Sequence, residues 1–201
     1  MRLYWPTGLR AAFDALFAID DALGDVVAKA TEPALAAIKL AWWRERLEEL
    51  DSGQAPAEPR LKAAAAELLP RGVSGKALAK LEEGWAALLD AVPDMEIAAR
   101  RGERLFAMAG ALLGAGDPLL AAAGRLYAVE AIARRGLTQA HFPAEQLHRL
   151  RGHRFARELR PLTGLARLAA RDSAQAPEVE PEGTPGRAMA LILHRLTGRI
   201  G

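Results

Sequence analysis

Residues 16–50, LFAIDDALGDVVAKATEPALAAIKLAWWRERLEEL, decide the fold. Leu16, Ile19, Leu23 and Val26/Val27 recur at steps of three and four, which predicts one apolar stripe on a helix running from about Leu9 to Val27. A short link follows. Thr31 is placed to cap a second helix, restarted around Pro33 and ending near Asp51-Ser52-Gly53. Leu35, Ile38, Leu40, Trp42, Trp43 and Leu47 surround more than half of that helix, so it is expected to be central in a bundle.

The same period continues outward, with Ala and Leu dominant and no run of β-branched residues. A Pro-containing connector, Gln54–Arg60, leads to a short helix over Leu61–Leu69 that Pro70 and Gly72 end. Ser74 caps a helix reaching Pro93, and Asp94 caps a long one to about Ala115 with Gly116 as terminator. Asp117-Pro118 starts the next, which runs to Gly136. A short helix follows Pro143, and another spans about Arg154–Arg171, bent or broken at Pro161. SAQAPEVEPEGTPG, residues 173–186, has little to bury and reads as an exposed linker. The expected organisation is a helical domain over 1–172, this linker, and a C-terminal helix within 187–201.

Composition removes several classes of function. The 201 residues are 51% hydrophobic and 26% charged, enough for one domain with a sizeable core. Cysteine is absent, so there is no disulfide framework, thiolate zinc site or thiol nucleophile. The N-terminal stretch reaches Asp14 without a continuous apolar run, and Leu105–Gly116 is too short to cross a bilayer of roughly 30 Å. A cytoplasmic location is expected, with a position peripheral to the inner membrane as the other option. Net charge is +2 but uneven: residues 1–60 carry ten acids and seven Lys/Arg, whereas residues 134–171 carry nine Arg against Glu145 and Glu158. Such a basic region is either a solvated helix face or an attraction for phosphate.

ALFAID in the first helix, LAAIKLAWWRERLEEL in the second, and GERLFAMAGALLGAG, GRLYAVEAIARRG and HFPAEQL downstream occur in the order seen in the squalene/phytoene synthase family, which the chain resembles over about residues 5–160. The resemblance implies an all-α, single-domain helical bundle of the isoprenoid synthase type, here truncated. In those synthases two aspartate-rich motifs on facing helices hold Mg²⁺, and the metals hold the prenyl diphosphates that are condensed head to head. Ionising an allylic diphosphate requires its leaving charge to be neutralised, which Mg²⁺ held by one or two carboxylates and the phosphate oxygens does.

Two aspartates four residues apart share a helix face, so Asp21 and Asp25 are the candidate metal ligands by spacing. Aligned without gaps on the family's first motif, however, the chain has Gly24 and Ala28 at the aspartate positions, and Asp21 falls where an arginine is usual. Asp20, Asp21 and Asp25 then read as carboxylates on a solvated face. Between Pro118 and Gly136 the only acid is Glu130, whose i+4 neighbour is Arg134. That spacing predicts a surface ion pair contributing about 0.3–0.5 kcal/mol, no substitute for a second Mg²⁺ motif.

Other constellations are bland. His141, His148, His153 and His194 have no metal-ligand pattern and are expected at surfaces or helix ends, and GVSGKA lacks P-loop spacing. Trp42, Trp43 and Trp85 are expected to be packing residues. The family resemblance includes a non-catalytic branch, the mitochondrial complex I assembly factors, which keep the Ala/Leu-rich first helix and the tryptophan-arginine second helix, Trp43-Arg44 here, while losing aspartates. The chain looks closer to that branch. The expectation is a catalytically degenerate protein without a cofactor that binds a partner protein or an isoprenoid-like ligand, with assembly of a membrane complex as one such role. The alternative is a Mg²⁺-dependent prenyl transferase using Asp20, Asp21, Asp25 and Glu130. A third reading, not favoured for nucleic acid, is binding of phosphate-rich surfaces, membranes included, through Arg149, Arg151, Arg154, Arg157 and Arg160.

Overall fold

A computed structural model describes residues 4–53, 57–139, 142–175 and 180–201. Its described residues form ten α-helices and no β-strand, as the periodicity predicts: α1 Arg10–Ala28, α2 Pro33–Glu49, α3 Pro59–Glu67, α4 Gly75–Ala79, α5 Glu82–Ala86, α6 Met95–Leu112, α7 Leu120–Arg134, α8 Ala144–Gly152, α9 Arg160–Gln175 and α10 Pro185–Thr197. None of these helices is long and apolar enough to cross a membrane.

The first helix buries the stripe expected of it, with Leu16, Ile19 and Leu23 fully enclosed. Ser74 and Asp94 act as caps, accepting backbone N–H bonds from Ala77 and from Glu96 and Ile97. Thr31 does not cap α2; Glu32 occupies the N-cap position and Pro33 supplies a preset φ at the first turn. The single helix expected over 74–93 is two short helices, α4 and α5. At their junction the Lys80 carbonyl accepts from the Arg104 guanidinium at 2.5 Å. The long α6 ends before Gly114, which adopts φ +63, rather than at Gly116. Pro161 sits in the first turn of α9, where its missing N–H costs nothing, so the break expected there is a helix start. Ser173–Gln175 extend α9 into the expected linker, and Thr184 caps α10 from its other end.

The central pair is α6 with α7. They approach so closely that a Cβ on Gly102 would stand 1.9 Å from the Gly124 carbonyl oxygen, and one on Gly124 2.2 Å from that of Gly102. Around this pair, α1 packs on α2, α3, α5 and α6, while α9 packs on α7 and carries α10. The second helix is not central. Only Ala36, Leu40, Trp43 and Leu47 turn inward, against α1, α4 and α5, and Leu35, Ile38 and Trp42 face solvent, Ile38 at 66% exposure. Amphipathic period does not distinguish a helix enclosed on all sides from one with two unlike apolar faces, one of them open.

Candidate functional site

The helices on which the resemblance would place two metal motifs, α1 and α7, meet beside a cavity of about 710 Å³, which α9 and α10 close from the other side. Tyr127, Leu165, Leu168 and Leu191 make its apolar wall. Its polar lining holds Arg134, Arg135 and Arg187 against Asp21, Glu130, Asp172 and Glu182.

The charges are largely spent on each other. Asp172 accepts from Arg187 and, at 3.1 Å, from Arg134, so one carboxylate of α9 ties α7 to α10. Arg134 also approaches Glu182 at 3.7 Å and donates to the Glu180 carbonyl at 3.2 Å. Glu180 binds Arg171 at 2.5 Å and accepts from the Thr184 hydroxyl at 2.5 Å, which pins the entry to α10. These contacts correct the surface pair expected of Glu130 and Arg134. Glu130 is only 3% exposed and lies 3.5 Å from the Phe142 N–H, whereas Arg134 turns to Asp172 and Glu182. A residue on a helix of mixed face takes its partner from the helix packed across it, and i+4 spacing alone does not reveal that helix.

Each aspartate of α1 goes to a different place. Asp20, read from sequence as solvated, is 1% exposed and accepts from Arg101, with one oxygen at 2.5 Å, and from the Trp85 indole N–H at 3.0 Å. The Arg101 guanidinium lies 4.0 Å from the Trp85 ring centroid and donates to the Ala128 carbonyl at 3.3 Å. Its Nε–H, buried, finds no acceptor among the described residues. Asp21, at the cavity mouth, accepts from Arg135 at 2.7 Å. Desolvation and the neighbouring Asp20 push its carboxyl above the usual range, against the pull of Arg135. Asp25 is bound by Lys29 at 2.8 Å, one turn on, and that hydrogen bond lowers its pKa. Asp21 and Asp25 therefore share a helix but have separate cations.

Gly24, where the resemblance would place a metal-binding aspartate, has little room for a side chain. A Cβ there would lie 2.7 Å from the Trp85 ring and 3.2 Å from Arg135 Nε, so an aspartate would have to displace both. The tyrosine on the cavity wall, Tyr127, has its pKa raised, by burial first and then by Asp20, and keeps its proton. It packs edge-on to Phe17 at 6.0 Å and tilted against Phe106 at 5.6 Å.

Of the remaining candidates, Trp43 and Trp85 are buried as expected, Trp42 is not, and Arg44 lies 3.9 Å from Glu82. His148 is exposed, and His153 pairs with Asp117 at 2.8 Å. The expectation for His141 lies outside the described residues. His194, expected at a surface or a helix end, lies in the last turn of α10 and is buried between the Thr163 hydroxyl at 2.9 Å and the Arg199 carbonyl at 2.8 Å. Since a carbonyl only accepts, Nδ1 carries the proton and Nε2 faces Thr163. Among the described residues no group of three His, Asp or Glu side chains is gathered as a metal set. Arg101, Asp172 and Arg187 were not singled out from sequence. The only signal for them was charge at positions in phase with a buried face.

Fold and site together define an all-α bundle with a charge-compensated cavity between its central and C-terminal helices. No family model, curated protein sequence or solved structure matches the chain.

Proposed function

We propose that the chain is a catalytically degenerate protein of the squalene/phytoene synthase type that uses the cavity between α1, α7, α9 and α10 to hold an uncharged isoprenoid-like amphiphile. The observation that carries this reading is the pairing of the cavity charges. Three arginines face four carboxylates, so the lining has no excess positive charge for a bare diphosphate. Asp20, Asp21 and Asp25 are each neutralised by their own Arg or Lys, and Mg²⁺ would have to displace those cations to gain ligands. What is left is an apolar wall of leucines with hydrogen-bonding groups at its rim, the lining an alcohol or quinone-like head on a prenyl chain would use.

The test is thermal unfolding with farnesol or farnesyl diphosphate, each with and without Mg²⁺. A ligand at a hundred times its Kd stabilises by about 2.7 kcal/mol, which for a domain of this size is a shift of roughly 5–10 °C. The reading requires that shift from farnesol regardless of Mg²⁺. A shift needing diphosphate and Mg²⁺ together, and lost in Asp21→Ala/Asp25→Ala, would establish the prenyl transferase alternative instead. No shift with any of them would empty the cavity of this role.

A second reading is favoured by a separate observation, the open face of α2. Leu35, Ile38 and Trp42 stand at i, i+3 and i+7, all exposed. A partner protein docked there, in assembly of a larger complex, is the use such a face suits.

A further inference from the structure

The last helix is amphipathic in the wrong sense for a helix that packs on a core. Its inward side carries Arg187, Ala190 and His194, at i, i+3 and i+7. Its outward side carries Met189, Ile192, Leu193 and Leu196, at i, i+3, i+4 and i+7, all exposed and Leu196 at 69%. The polar residues inside are satisfied, Arg187 by Asp172 and His194 by Thr163 and the Arg199 carbonyl. The apolar residues outside stay about half exposed or more.

Beside this stripe lies a second feature of opposite character. Tyr4, Arg154, Arg157, Arg160 and Arg195 line a cleft of about 530 Å³ with no carboxylate among its described lining residues, and Leu196 belongs to both cleft and stripe. Arg160 is held by the carbonyls of Arg195 and Leu196 at 2.8 and 3.0 Å, and Arg195 lies 5.5 Å from the Tyr4 ring centroid. Arg154 and Arg157, both exposed, have no carboxylate within 4.0 Å among the described residues.

We propose that this face is a docking surface for an anionic bilayer: Met189, Ile192, Leu193 and Leu196 enter the headgroup boundary while the arginine cleft takes lipid phosphates. The site is separate from the cavity and does not depend on its ligand. Charge decides the occupant. A second copy laid stripe to stripe would bring two arginine clefts together, and like charges in contact oppose that pairing. Nucleic acid would satisfy the arginines and leave the apolar stripe in water. A bilayer with anionic lipids satisfies both, because a helix lying in the interface buries its apolar face and sets arginines against phosphate.

The test is sedimentation of the full chain with vesicles of phosphatidylcholine, alone or mixed with phosphatidylglycerol. Binding should be at least roughly tenfold tighter to the mixed vesicles and fall as salt rises. Ile192→Gln/Leu196→Gln should weaken it by roughly tenfold or more, and Arg154→Gln/Arg157→Gln by a similar factor, since each arginine near such a surface is worth about fivefold. All four positions are exposed, so both variants should keep the parent's melting temperature. Equal binding to neutral vesicles, no binding, or binding indifferent to Ile192→Gln/Leu196→Gln would overturn the proposal. So would a dimer in analytical ultracentrifugation that this variant dissociates while vesicle binding is absent, which would make the face an interface between copies.

Discussion

At the scale of single residues, Asp20, one of three aspartates that read as solvated from sequence, is enclosed in the fold. Asp20 and Arg101 are both enclosed, with the Trp85 indole completing the carboxylate's shell. Removing one partner of such a pair strands a buried charge, so Asp20→Ala should cost about 3–5 kcal/mol in urea unfolding. Asp20→Ala/Arg101→Leu should cost less than the sum of the single changes, since no charge is left behind. His194 makes a prediction in pH. Burial, more than the nearby Arg167 and Arg160, lowers its pKa below the ordinary histidine value of about 6.5, against the favourable contact with the Arg199 carbonyl. The unfolded chain therefore takes up this proton more readily than the folded one. The contribution of neutral His194 is intact above about pH 6.5 and is lost as pH falls through the lower, folded pKa. His194→Gln should flatten the melting temperature between neutral and mildly acid pH, and an unchanged slope would mean that His194 titrates alike in both states.

At the scale of elements, the close contact of α6 and α7 rests on Gly102 and Gly124. Neither carries φ in the left-handed range; each is glycine because the opposing backbone leaves no room for Cβ. Gly102→Ala forces a carbonyl oxygen and a methyl group apart, which separates two helices rather than one rotamer. Its expected cost is about 1–3 kcal/mol, read as a fall in the urea midpoint. A loss within about 0.5 kcal/mol would mean that the two helices slide freely. The caps, breaks and glycine terminators of these elements were largely legible, because capping and positive φ are local chemistry: Ser74 and Asp94 cap where expected, and Gly136 at φ +72 ends α7. The division of 74–93 into α4 and α5, and the open outer face of α2, were not. Both depend on what lies across the helix, Arg104 in one case and the absence of cover over Leu35, Ile38 and Trp42 in the other.

At the scale of the whole molecule, the C-terminal segment closes the bundle rather than trailing from it. After α10, Gly198 at φ +77 turns the chain back, its carbonyl accepts from the Phe155 N–H at 2.9 Å, and Ile200 is fully buried. Ile200→Ala should therefore cost about 2–5 kcal/mol, measured by urea denaturation, as a core deletion does. A surface value near zero would show the tail to be loosely held. The same closure places Arg187 against Asp172 and forms the far wall of the cavity, so the site exists only when both ends of the chain have packed.

Taken by itself, the amino-acid sequence determined that this protein is all-helical, where most helices begin and end, and that Glu130 is the only acid of α7. Each of these follows from period, capping or composition, which act over a few neighbouring residues. Only the tertiary structure decided that Asp20 is buried, that Glu130 and Arg134 part company, that α2 lies at an edge, and that α10 shows its apolar side to solvent. The physical reason is common to all four. Which face of a helix is covered, and by which charge, is set by long-range packing between segments tens of residues apart, and no local pattern carries that information.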